Sequence, residues 1–294
     1  MASGEKLRQI KDIDALRSLP SLNAMAHKVG YGFSPASFGN MSLKWGANRD
    51  GGEAKVWRNR ALFARMAGFE LESAVFMVPC HGTDIVLVGH ADAGGENLGK
   101  VDGLITAERN VPLVLLPADC TPIIVTNKSA DFVALIHAGR VGTDLKIAGK
   151  LINQLRDMGF VDVNDFVVGL GPAIECEWRQ SLETVDPEGW LPFVSIPAEK
   201  ADDGLSFVIT EIESSGEAKY KIGLNRHDES FFVDMVGYSA AQVVQCGVDP
   251  VNVSVSGLCT VCNGKNGLVF SHRLSTLDPV TYPESRYMAY AVLK

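Results

Sequence analysis

The stretch "VPLVLLPADCTPIIVTNKSADFVALIHAGRVG", residues 111–142, constrains the fold more than any other. "PLVLL", "PIIVT" and "FVALI" are runs of strand-forming residues at strand length, and turn residues separate them. The first run leads through Ala118 and Asp119 to Cys120, and the last ends at His137 and opens into Gly139 and Gly142. Neighbouring strands thus deliver a cysteine and a histidine, both able to bind a metal or to act on a carbonyl, to strand ends.

Other segments repeat the pattern. "SAVFMVPCHG", "TDIVLVGHAD", "DGLIT", "FVVGLGPAI", "VNVSVSG" and "GLVFSHR" read as strands, and "SFGNMSLKWG" as a short strand and turn. "EAKVWRNRALFARMAG" reads as a helix ending at Gly68. A second helix starts at Thr143 or Asp144, carries Leu145, Ala148, Leu151, Ile152 and Leu155 on one face and stops at Gly159. A third runs over residues 230–246, with Gly247 as its stop. Strands outnumber helices and arrive in groups, which predicts an α+β layered sandwich instead of regular βαβ winding. Residues 1–30 read as a polar N-terminal arm, residues 31–294 as one domain, and residues 181–227 as a divergent excursion within it.

Composition narrows the function classes. A net charge of −8 disfavours a nucleic acid or anionic lipid partner. No apolar run has signal-peptide or membrane-spanning length, so a soluble cytoplasmic protein is expected. Six cysteines in a chain of this size, without a secretory signal, predict reduced thiols. The sequence leaves the oligomeric state open.

Three motifs resemble sites and fall short. "GGENLGKV" has phosphate-loop spacing, but Val101 follows Lys100 where Ser or Thr is required, and a strand follows instead of a helix. "CTVC", Cys259 to Cys262, has redox spacing, but "NGKNG" signals a turn instead of the helix that would lower a thiol pKa. His90 and Asp92 lie in a loop of small residues and read as exposed.

His81 in "PCHG", Cys120 in "ADC" and His137 in "HAG" remain. Two imidazoles and a thiolate suit Zn²⁺ and leave a fourth position for water. Their spacing is not that of a compact zinc finger, so only the fold can unite them. The residues alone leave a second reading open, with Cys120 in the core and both histidines bonded to local backbone.

"CHG", "VDGLIT", "ADCTPIIV", "VALIHAG", "VVGLGPAI", "GLCT" and "VFSHR" resemble, in order, the motifs of the laccase-domain (YfiH-type) family, with "WRNR" as an early match. This family, once described as multicopper polyphenol oxidases, is associated with purine nucleoside phosphorylase activity. The resemblance implies an α/β/β/α sandwich of mixed sheets and one zinc ion on His81, Cys120 and His137. It also implies phosphorolysis of adenosine, inosine and methylthioadenosine, with adenosine deamination, so a nucleoside and phosphate are the expected partners. Asp119 is expected to orient a ligand or a substrate hydroxyl, and Arg273 and Arg140 to hold phosphate. Asn40 and Arg60 match early motif positions and are pocket candidates. The chain departs from the family pattern in "HAGRVG" (usually Trp-Arg-Gly after "HAG"), at Pro79 (usually Gln), in "GPAIECEW", which lacks the cysteine common after Gly-Pro, and at His272 (usually Tyr). These changes put phosphorolysis in question more than metal binding. The competing activity is a cysteine hydrolase using Cys120 and His137, with peptidoglycan-related substrates; an altered zinc-binding member without turnover is a third reading. Multicopper oxidation is set aside, because six histidines are too few to seat four coppers.

Overall fold

The computed structural model describes residues 3–46, 52–95, 98–175, 179–181, 205–208, 222–225, 230–233 and 235–294. Helices α1 (Ser3–Leu16) and α2 (Pro20–Asn23) precede strand β1 (Val29–Phe33), and α3 (Glu53–Ala67) follows. Strands β2 (Val75–Phe76), β3 (Ile85–Leu87), β4 (Gly103–Thr106), β5 (Leu113–Leu115), β6 (Thr121–Asn127) and β7 (Val133–Ala138) come next. Helices α4 (Arg140–Asp144) and α5 (Ile147–Asp157) lead to β8 (Phe166–Leu170). Four short strands, β9 (Arg179–Ser181), β10 (Leu205–Val208), β11 (Ile222–Asn225) and β12 (Ser230–Val233), form an antiparallel sheet of their own. Then come α6 (Met235–Gln245), β13 (Val253–Val255), α7 (Thr260–Lys265), α8 (His272–Leu277) and β14 (Ala289–Leu293). The rest of the predicted excursion at 181–227 lies outside the described residues.

Two mixed sheets stack face to face. One has the order β1-β14-β5-β2 and the other β13-β8-β6-β7-β4-β3. Strand periodicity assigns each face. Ile124, Leu135 and Leu104 point into the core shared with Leu113, Leu115 and Ala291 of the smaller sheet. Their neighbours Ile123, Val125, Ala134 and Ile136 point the other way, onto Leu151, Ile152 and Leu155 of α5 and Val236, Ala240 and Val243 of α6. The outer face of the smaller sheet, with Val114, Tyr290 and Val292, is covered by Phe63 and Ala64 of α3. The layers are therefore α/β/β/α, as the resemblance implies.

Several local expectations are corrected. The helix expected from Thr143 is split, because Lys146 takes a left-handed conformation (φ 62°) between α4 and α5, and Leu145 is exposed. The helix expected from Ser230 begins only at Met235, since Ser230–Val233 pairs with β11 and β9. "GLVFSHR" is no strand: the Ser271 side chain accepts from the Leu274 amide and starts α8. The closing strand is "AYAVL". "CTVC" does open a short helix, with Cys259 at its N-cap. "SFGNMSLKWG" is an irregular loop, held by Asn40 in a way described below. Within the first 30 residues, Leu16, Leu19 and Leu22 are fully buried in the inter-sheet core.

Candidate metal centre and its cavity

Strand direction brings the chemistry together. β6 and β4 both run antiparallel to β7, so the residues before β6 and β4 meet the end of β7. Those positions are Cys120, Asp102 and His137. His81 arrives from the connection between β2 of one sheet and β3 of the other. The metal-binding atoms of His81, Cys120 and His137 all lie within 4.8 Å of one another. Cys120 Sγ is 3.9 Å from His81 Nε2, and the two imidazoles meet edge to face at 4.9 Å.

Asp102 organises this cluster, and the sequence reading missed it. Its fully buried carboxylate accepts from the amides of Cys80 (3.2 Å), His81 (2.9 Å) and Gly82 (2.7 Å) and from His137 Nδ1 (2.9 Å). Three successive amides turned onto one anion hold His81 at φ 63°, a conformation that is costly for a histidine. Bonding at Nδ1 fixes the His137 tautomer and leaves Nε2 for a metal, the usual carboxylate–histidine support of a zinc ligand.

Charge follows from this packing. Burial pushes the Asp102 carboxyl up, but hydrogen bonds from His137, Cys80 and Gly82 prevail and hold it well below the usual range. Burial would also raise the Cys120 thiol, yet the His137 charge and hydrogen bonds to both histidines bring it down to about 6. Burial lowers His137, and against that Cys120 and Asp102 lift it to about 9. Both shifts favour a thiolate on half-buried Cys120 and an imidazolium on buried His137, beside the Asp102 carboxylate. A cation displacing the imidazolium proton would meet two nitrogens and a thiolate.

The donor set fits zinc. Tetrahedral coordination with Zn–N of about 2.0 Å and Zn–S of about 2.3 Å separates ligand atoms by roughly 3.3–3.6 Å. The 3.9 Å Cys120–His81 contact would close by a few tenths of an ångström, and separations of up to 4.8 Å within the cluster by about 1 Å or more. Gly139 keeps the space free: a Cβ there would lie 2.8 Å from His81 Cδ2 and 3.2 Å from both Cys120 Sγ and His137 Cε1.

The cluster opens on a cavity of about 450 Å³, lined also by Lys44, Trp45, Met77, His272 and Arg286. The remaining sequence candidates sit elsewhere. Asp119, at φ 82°, spends one carboxylate oxygen on Thr260 Oγ1 (2.6 Å) and the other on the Arg273 amide (2.6 Å), so it ties α7 and α8 to the Cys120 turn. Arg273 therefore contributes its backbone here, and its side chain is not among the cavity-lining groups. Arg140 pairs with Asp144 at 3.4 Å on α4, also outside the cavity lining.

Asn40 and Arg60 stand behind the cavity wall. Asn40 is fully buried; its Nδ2 donates to the Ser42 (3.0 Å) and Trp45 (2.6 Å) carbonyls, and its Oδ1 accepts from the Ser42 (3.0 Å) and Arg286 (2.9 Å) amides. Asn59 donates to the Asn40 carbonyl (2.9 Å), and Arg60, stacked between Trp57 and Phe76, donates to the Met41 carbonyl (2.7 Å). The "WRNR" motif thus braces the loop that presents Lys44 and Trp45.

The three decoys also resolve. His90 is exposed, 3.9 Å from Glu108, and Asp92 caps the Gly89 amide. No helix follows Lys100 before β4. Cys259 is buried, Cys262 is exposed, and neither is disulfide-bonded. Among the described residues no helix is long and apolar enough to cross a membrane.

Known proteins resemble this chain in sequence and in fold. A purine nucleoside phosphorylase of Corynebacterium glutamicum is 31% identical over 35% of this chain, a match spanning 42% of that protein. Purine nucleoside phosphorylase YlmD of Geobacillus stearothermophilus is 30% identical over 80% of this chain and 77% of its own length. The crystal structure of YlmD from Geobacillus stearothermophilus superposes with a TM-score of 0.70 at 27% identity, covering 91% of this chain and 92% of that one. The profile described as multi-copper polyphenol oxidoreductase laccase matches residues 24–186, more than half of the sequence, and the chain belongs to that family.

Proposed function

We propose that the protein is a zinc-dependent purine nucleoside phosphorylase, acting on adenosine, inosine and methylthioadenosine and deaminating adenosine at the same centre. The observation that carries this reading is the convergence of His81, Cys120 and His137 on one side of a cavity. The relatives named as purine nucleoside phosphorylases support the substrate class. The cavity's size suits a small molecule. Met77, Val78, Leu116 and Trp45 offer apolar surface for a planar base, while Lys44 and Arg286 supply positive charge.

His81, Cys120 and His137 would hold the zinc, and Asp102 keeps His137 in the required tautomer. When bound, the metal supplies a Lewis acid at an open coordination position, able to polarise a substrate group or lower the pKa of water. The lining residues exclude bulk water and orient the nucleoside. We take the enzyme to be cytoplasmic, as the reduced thiols expected from the sequence suggest. We read residues 31–294 as its single catalytic domain, with Leu16, Leu19, Leu22 and the start of β1 from the preceding arm packed into the same core.

Metal-replete protein incubated with adenosine and phosphate should release adenine, and inosine by deamination, on chromatography. His81→Ala, His137→Ala and Cys120→Ser should each lose zinc and turnover together. Absence of turnover across a nucleoside panel at full zinc occupancy would eliminate the phosphorylase reading and leave a zinc-binding protein.

One observation favours a second reading. Cys120, His137 and Asp102 are in the order nucleophile, base and orienting carboxylate, and the thiol is shifted toward thiolate. A cysteine hydrolase would therefore be geometrically served. Iodoacetamide labelling separates the two: zinc should suppress modification of Cys120 in a metalloenzyme, and leave it unchanged in a thiol hydrolase.

A further inference from the structure

The arginine expected to bind phosphate is Arg140 or Arg273 by sequence, yet neither side chain lines the cavity. Arg286 does. Its backbone is fixed by the Asn40 bond, and its guanidinium carbon stands 5.2 Å from the centre of the Trp45 ring. Only one nitrogen is engaged: Nη1 donates to Glu284 Oε1 and to the Ser285 carbonyl (3.0 Å). Among the described residues, Nη2 and Nε have no hydrogen-bond partner.

Glu284 is itself anchored. Besides Arg286 it accepts from Ser275 Oγ and contacts His272 Nδ1 at 3.0 Å. The guanidinium is thus gripped from one side, in a side chain only 13% exposed, with its other edge unengaged. A planar fork held this way is suited to an oxyanion, which it can meet with two parallel N–H bonds. Lys44, 5.2 Å from the same Trp45 ring, adds a second cation to this wall.

We propose that Arg286 is the anion-binding residue of the cavity, that its ligand is inorganic phosphate, and that Asn40 and Glu284 are its positioning residues. This deepens the phosphorylase reading and rests on it for the identity of the anion.

The test measures inorganic phosphate binding directly, by titration calorimetry on the zinc-loaded full chain, beside steady-state phosphorolysis of inosine. Arg286→Gln should weaken phosphate binding by roughly tenfold or more, the scale of losing charge-assisted bonds. It should raise the KM for phosphate alike, with the KM for inosine and the zinc content close to wild type. Arg286→Lys, which keeps the charge and loses the fork, should fall between the two and serves if the glutamine variant does not fold. Wild-type phosphate affinity in either folded variant overturns the proposal, as does a wild-type protein that binds no phosphate. If the wild type binds phosphate through Arg286 but cleaves no nucleoside, the anion site stands and the phosphorylase reading falls. If it cleaves inosine with a phosphate KM indifferent to Arg286, the reverse holds.

Discussion

A single methyl group at Gly139 should abolish metal binding at the proposed centre while leaving the fold intact. Gly139 has φ −78° and ψ 174°, which alanine adopts freely, so no backbone penalty is expected. The cost is steric. The new Cβ would lie 2.8 Å from His81 Cδ2, against an ordinary carbon–carbon separation of about 3.5–4.0 Å. It would also press on Cys120 Sγ and His137 Cε1, both at 3.2 Å. His137 is locked by Asp102 and Cys120 by the start of β6, so the His81 ring must yield, by about 0.7–1.2 Å. Metal–ligand distances tolerate about 0.2 Å. Since loss of a supporting hydrogen bond alone costs about 10–100-fold in metal affinity, displacing a ligand outright should cost about 100-fold or more, or about 2.7 kcal/mol. Competition against a chromophoric chelator measures the zinc affinity, and thermal melts of the metal-free proteins monitor the fold. Zinc affinity within threefold of wild type would refute the reasoning, and so would a large loss of metal-free stability.

Asp102→Asn removes a buried anion that accepts four nitrogen donors and turns an NH2 group toward some of them; about 3–5 kcal/mol of metal-free stability should go, with zinc affinity down about 10–100-fold, measured by denaturant melts and metal titration. In metal-free protein the rate of iodoacetamide labelling at Cys120, followed by peptide mass spectrometry, should rise with a midpoint near pH 6, because the thiolate forms as pH climbs through the lowered pKa. Cys80, whose thiol is raised chiefly by its bond to the Asp102 carboxylate, should label more slowly at pH 7 despite its exposure; the opposite ranking would contradict the charge assignment. Asn40→Ala leaves the buried Ser42 and Arg286 amides without their acceptor, so about 2–4 kcal/mol of stability should be lost, read from urea melts, and phosphate binding should weaken in whatever folds.

The sequence by itself determined the parts that depend on near neighbours. Alternation within "PIIVT" and "FVALIHA" encoded two buried faces, since side-chain direction in a strand reverses at every residue. Gly68, Gly159 and Gly247 ended their helices or helical turns at left-handed glycines, as a chain-local rule requires. The residue types at 81, 120 and 137 already made a donor set suited to zinc, and the order of the motifs pointed to the family and its sandwich. Tertiary structure alone decided how each polar side chain is used. Asp102 in "VDGLIT" looks like any turn aspartate; it became the clamp because β4 lies against β7, which sets it beside a histidine 35 positions away. Asp119, next to Cys120, was drawn off by Thr260, 141 positions on. Arg286 reached the cavity wall through a bond to Asn40 across 246 positions. Burial is written in local periodicity, because one residue's hydropathy is enough to state it. A hydrogen-bond partner is a property of two residues, and the fold must bring them together before either acquires its role.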